Sequence, residues 1–166
     1  ATLAASQRDA KAGEFLRMKH AGWTMAEYVG RERAVMGGVI ATGKPLTAKQ
    51  RTTLSVYRGR VLTAWESVSR SAKAHPELTG VAATIANAGK IYFGDFENIR
   101  KNVYAASSGT ATYPVSGASW IERSTAAIDT LLAIQKAIST AALQQTGDSI
   151  GAAFTNLIVN IIVLLA

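Results

Sequence analysis

The sequence predicts an all-α fold: an antiparallel up-down-up-down four-helix bundle with long first and last helices. Apolar residues recur at alternating steps of three and four along four long segments, the spacing of a helix with one buried face. Gly43-Lys44-Pro45, His75-Pro76 and the stretch from Ser107 to Pro114 separate those segments. No stretch alternates with period two between turn signals, so no sheet is expected. Short connections make consecutive helices antiparallel neighbours. With 166 residues, 48% hydrophobic and 17% charged, the chain is sized for one domain over 1–166 with a real core.

The first segment covers about residues 2–42, and its seam is Phe15, Met18, Gly22, Met25, Val29, Met36 and Val39. Gly43 takes the position after a helix end and Pro45 blocks continuation. Thr47-Ala48-Lys49-Gln50 has the form of a capping box, and the seam that follows is Leu54, Arg58, Val61, Trp65, Val68 and Ala72. His75 precedes a proline and is pushed out of the helical region. Pro76 suits the first position of a third helix over 76–106, whose apolar line includes Val81, Ile85, Tyr92, Phe96, Ile99 and Val103. Ser119-Trp120-Ile121-Glu122 is a second capping-box candidate, opening a fourth helix that can run to the end of the chain. The first helix, with Ala21, Gly22 and Ala26, is the expected contact of a homodimer.

Composition narrows the function. There is no cysteine and there are 2 histidines, so disulfide scaffolds, thiol nucleophiles and histidine-based metal or triad sites are not expected. No nucleophile–base pair is evident, no cofactor is implied, and the chain is not expected to be an enzyme. The net charge of +7 is spread along the chain, with no basic run and no aromatics interleaved for base stacking. A nucleic-acid partner is therefore not expected; a small anionic ligand or an anionic membrane surface suits spread positive charge better. Residues 157–166 are strongly apolar and no charge follows Asp148. Residues 150–166 are either the start of a transmembrane helix or the end of a core helix. The first alternative makes this a soluble domain between two membrane spans.

Charged residues on the seams are the candidate site. Glu32 stands between Val29 and Met36, Arg33 beside it, and Arg58 between Leu54 and Val61. Glu32 and Arg58 lie at similar distances from the first turn, so an antiparallel hairpin places them at one height. Buried charge is costly unless paired or bound. One reading is a structural Glu32–Arg58 ion pair. The other is that Glu32 orients arginines that grip an anion, since a guanidinium fork matches oxyanion geometry. Trp120 and Arg123, at the start of the fourth helix, are candidates to close the same site. Arg100 and Lys101 are expected to be solvated.

The stretch Gly30-Arg31-Glu32-Arg33-Ala34-Val35-Met36-Gly37-Gly38-Val39-Ile40-Ala41, then Lys44-Pro45-Leu46-Thr47 and Tyr57-Arg58-Gly59-Arg60 with Trp65, resembles helical extracytoplasmic sensor domains of methyl-accepting chemotaxis proteins. Glu32-Arg33 within a long first helix resembles the Glu-Arg element of nitrate- and nitrite-sensing domains. Tyr113-Pro114, Trp120 and Ser124-Thr125-Ala126-Ala127-Ile128-Asp129 are similar in kind. The resemblance implies a ligand-binding domain of a transmembrane signal transducer of chemoreceptor type, in which Arg33 helps to hold the anion and the last helix carries the signal.

Overall fold

The computed structural model describes the backbone of residues 3–109 and 111–165, and the side chains of 10–109, 111–145 and 147. Among these residues the regular structure is all helix, in four rods with no strand. The rods are α1 (Leu3–Thr42), α2 (Ala48–Ala74), a third rod made of α3 (Thr79–Lys90), a π-helical turn (Ile91–Phe96) and α4 (Glu97–Ser107), and α5 (Gly117–Leu165). α1 packs along both α2 and α5, and α3 packs on α5 and α2, so the four rods surround one core.

The seams read from the sequence become that core. Met18, Met25, Val29 and Met36 from α1 meet Leu54, Val61 and Val68 from α2, Val81, Tyr92 and Val103 from the third rod, and Trp120, Leu131, Ile134 and Ile138 from α5. By length and composition alone α5 holds, within Gly117–Gln145, an 18-residue window apolar enough to cross a membrane, with a mean hydropathy of 1.3. Its apolar face in that stretch is used in the core. The helix continues to Leu165, and the side chains of the apolar run 157–166 lie outside the described residues.

Several ends differ from expectation for local reasons. The Thr47 capping box forms as read: Thr47 Oγ1 accepts from the Gln50 amide at 3.2 Å and Gln50 Oε1 accepts from the Thr47 amide at 2.9 Å. Gly43 adopts φ +60°, a left-handed value at a helix end that glycine adopts without strain. Pro76 does not open the third rod. It sits inside a turn closed by Leu78 N–H donating to His75 O at 3.0 Å, where a fixed φ suits the second position of the turn. The cap of α5 is Ser116, whose Oγ accepts from the Ser119 amide at 3.1 Å, so Ser119 and Glu122 lie inside the helix. The π-helical turn was not read from the sequence.

Two of the three small residues assigned to a dimer contact, Ala21 and Gly22, are used inside the chain. Ala21 is buried, and a Cβ added at Gly22 would come 2.7 Å from Gln135 Cγ on α5. Trp23, by contrast, is 53% exposed, stacked on His20. Removing the α2 cap through Thr47→Ala is expected to lower stability by about 1 kcal/mol, seen as a lower thermal midpoint with unchanged helical content before the transition.

Candidate functional site

Glu32 lies on the α1 face turned to α4, and its carboxylate is buried. A carboxylate taken out of water needs charge-assisted partners. α4 supplies two, one turn apart: Arg100 Nε donates to Glu32 Oε1 at 2.6 Å and Tyr104 Oη donates to the same oxygen at 2.5 Å. The Arg100 guanidinium also lies over the Tyr104 ring, 4.3 Å from its centroid. Burial is the largest single influence on Arg100 and opposes its charge, but Glu32, Tyr104 and Glu97 together outweigh it and the Arg100 pKa is raised. Tyr104 is pushed up first by burial and then by the negative charge of Glu32.

The expected Glu32–Arg58 pair does not form. Arg58 Nη2 lies 2.9 Å from Glu97 Oε2 and Arg58 Nη1 donates to Tyr92 Oη at 3.2 Å, with the guanidinium facing the Phe93 ring at 5.4 Å. Glu97 completes the link, since its Oε1 accepts from Arg100 Nη1 at 3.5 Å. Equal height along a hairpin does not fix direction around each helix axis. Glu32 points to α4 and Arg58 to the π-helical turn, so the two predicted charges join one network, Glu32–Arg100–Glu97–Arg58, through two residues that the sequence reading does not place in the site. Arg100, expected in solvent, is among the buried residues.

The remaining predicted residues lie at the α1–α5 seam. Trp120 is fully buried; its Nε1 donates to the Arg33 carbonyl at 3.0 Å and its ring meets Phe96 at 5.3 Å between centroids. Phe96 in turn meets Tyr92 at 5.8 Å, so aromatic contact runs from Arg33 to the residue that holds Arg58. Arg33 is half-buried, and its Nη1 donates to Thr125 Oγ1 at 2.8 Å. Among the described residues no carboxylate pairs with Arg33. Arg123 is exposed on α5, with its Nε on Ser119 Oγ at 3.2 Å, and is not drawn into the network. The grooves between α1 and α2, beside Leu16 and Val56, and between α3 and α5, beside Thr84 and Thr140, do not reach the buried charges.

Two outcomes follow. Arg100→Met leaves Glu32 buried without its cation and is expected to cost about 3–5 kcal/mol, whereas Glu32→Gln with Arg100→Met should recover most of that loss in denaturant melts. Tyr92 and Tyr104 both have pKa values raised above the ordinary phenol value near 10, Tyr92 chiefly by burial. Their raised values mean that the folded state holds these protons more tightly than the unfolded chain. Their contribution to stability is complete below pH 10 and is lost as pH rises above it toward the folded values. Ultraviolet titration should show two of the 5 tyrosines resisting ionisation until the alkaline unfolding transition.

No curated protein and no solved structure matches this chain. A family model described as nitrate and nitrite sensing matches residues 1–143, which takes in the Glu32-Arg33 element, the whole third rod and the start of α5. The chain belongs to that family of helical extracytoplasmic sensor domains.

Proposed function

We propose that the domain binds nitrate or nitrite outside the cytoplasm, as the periplasmic part of an inner-membrane signal transducer of chemoreceptor type, and reports binding through α5. The observation that carries this reading is Arg33. It is a half-buried cation within the stretch matched by the nitrate and nitrite sensing family, beside Glu32 in a pair that resembles that family's Glu-Arg element, and it is bonded to the neutral hydroxyl of Thr125. A half-buried guanidinium without a carboxylate is a ready oxyanion partner, because its planar fork matches two oxygens at once. Arg58 is the second guanidinium of the site. Glu32 acts from behind by fixing Arg100, and through it the carboxylate that Arg58 faces. Trp120 walls the site from α5, and Arg123 is the outer cation.

The signalling step follows from the same bond. An anion on Arg33 Nη1 competes with Thr125, and Thr125 is on α5. Binding thus alters the α1–α5 contact and displaces the last helix as a piston or a rotation. The reading includes an antiparallel up-down-up-down order of the rods, a homodimer across a two-fold axis, and flanking membrane spans, the second beginning in residues 150–166. A second reading is a helical interaction module that senses nothing. It is favoured by the Glu32–Arg100 pair, which protein groups alone satisfy.

Melting with nitrate, nitrite and small carboxylates separates the two. A ligand at 100 times its dissociation constant should add about 2.7 kcal/mol, and Arg33→Ala should abolish the shift while helical content stays unchanged. No shift with any of these anions would leave the interaction-module reading.

A further inference from the structure

The buried network has one weak member. Glu32 Oε1 receives two short charge-assisted bonds. Glu97, by contrast, receives a stretched 3.5 Å bond on Oε1. Its Oε2 is buried and lies 2.9 Å from Arg58 Nη2 without the direction of a hydrogen bond. Glu97 is therefore held on Arg58 by charge more than by directed bonding. Both partners sit near the surface end of the network, with side chains 16% and 14% exposed.

The π-helical turn is what brings this carboxylate to Arg58. Arg58 touches Tyr92 and Glu97, which are five residues apart. In an α-helix, at 3.6 residues per turn, such residues point about 140° apart. In a π-helix residues five apart lie about one turn from each other and share a face. The turn over Ile91–Phe96 thus converts two side chains that would diverge into a joint clamp on one guanidinium. π-helical turns interrupt better hydrogen-bonded helix and are found frequently at functional sites.

We infer that Glu97 is an internal competitor for Arg58: its carboxylate occupies the guanidinium in the free domain, and an oxyanion must displace it, so that Glu97 sets the affinity of the site. The inference rests on the oxyanion-sensing reading above. A carboxylate and a nitrate present the same planar pair of oxygens to the fork, so the exchange leaves Arg58 paired throughout. It also lets Glu97 turn away, which loosens the i, i+5 clamp and gives the third rod a conformational response to the ligand.

The test is the dissociation constant for nitrate, by calorimetry, on the whole chain and on Glu97→Gln and Glu97→Asp. Glu97→Gln removes the competing charge at equal size. Losing one charge-assisted contact from the free state should tighten binding about tenfold. Glu97→Asp keeps the charge but withdraws it by one methylene, and should tighten binding by a smaller factor; it serves if Glu97→Gln fails to fold. A structural role alone predicts lower melting temperatures with unchanged or weaker nitrate binding in both variants. That outcome overturns the inference while leaving the sensor reading intact. If neither the parent chain nor either variant binds nitrate or nitrite, the inference and the sensor reading fall together.

Discussion

A carboxylate that cannot reach water governs the middle of this bundle. Once Glu32 is placed on the inner face of α1, a cation and further donors must meet it. α4 supplies both from one stripe, with Arg100 and Tyr104 four residues apart on neighbouring turns. This fixes the height of α1 against α4 and its rotation, which interchangeable aliphatic contacts do less sharply. Arg100 also reaches Glu97 and Glu97 faces Arg58 on α2, so three of the four rods are tied at one level. Buried ion pairs seldom add much net stability over apolar packing. The apolar residues hold the rods together, and the charges hold them in register.

The fourth rod joins through an aromatic side chain. Trp120 lies near the start of α5 and is fully enclosed, yet its indole N–H is satisfied by the carbonyl of Arg33. A buried indole N–H needs such a partner, and a helical carbonyl has a second lone pair to give. This bond and the one from the Arg33 side chain to Thr125 seat α5 against the residue that follows Glu32. Side chains on both sides of one peptide are thus committed: Glu32 inward to the third rod, Arg33 across to α5. A change at either one is felt by the other through a single turn of rigid helix.

Much of the fold was legible because helical periodicity is a strong local signal. Met25, Val29, Met36, Leu54, Val61, Val81 and Val103 are all identifiable from spacing or apolar pattern, and the Thr47 cap from four consecutive residues. The π-helical turn was not, because one wide turn leaves apolar residues still three or four apart. It does change which residue of a neighbouring pair faces inward. Counting α-helically through Phe96 favours Ile99 for the buried line, whereas beyond the turn Phe96, Arg100, Val103 and Ser107 are the buried residues. That shift explains why Arg100 was read as solvated. A usable signal was present: Arg100 is four residues after Phe96 and three before Val103, the same kind of seam position that drew attention to Arg58. Glu32, Arg58 and Trp120 were legible because each stands out against an apolar line. Their partners were not, since sequence spacing gives height along a hairpin but not direction around a helix.

The division between a closed interior pair and a looser outer pair is what the proposed sensing of a weakly basic anion would require. A site made wholly of satisfied ion pairs would not admit ligand, because each guanidinium would already hold its best partner. A site of bare buried cations would not fold, since like charges brought together in low dielectric repel strongly. Here the deepest charges, Glu32 and Arg100, neutralise each other and fix the geometry. The cations nearer the surface are held more lightly: Arg33 by a neutral hydroxyl, and Arg58 by the Tyr92 hydroxyl and a carboxylate lacking a directed bond. In the proposed mechanism, the cost of opening the outer contacts sets how much of the binding free energy reaches α5. A domain of this build responds to an anion only to the extent that the anion outcompetes the protein's own groups.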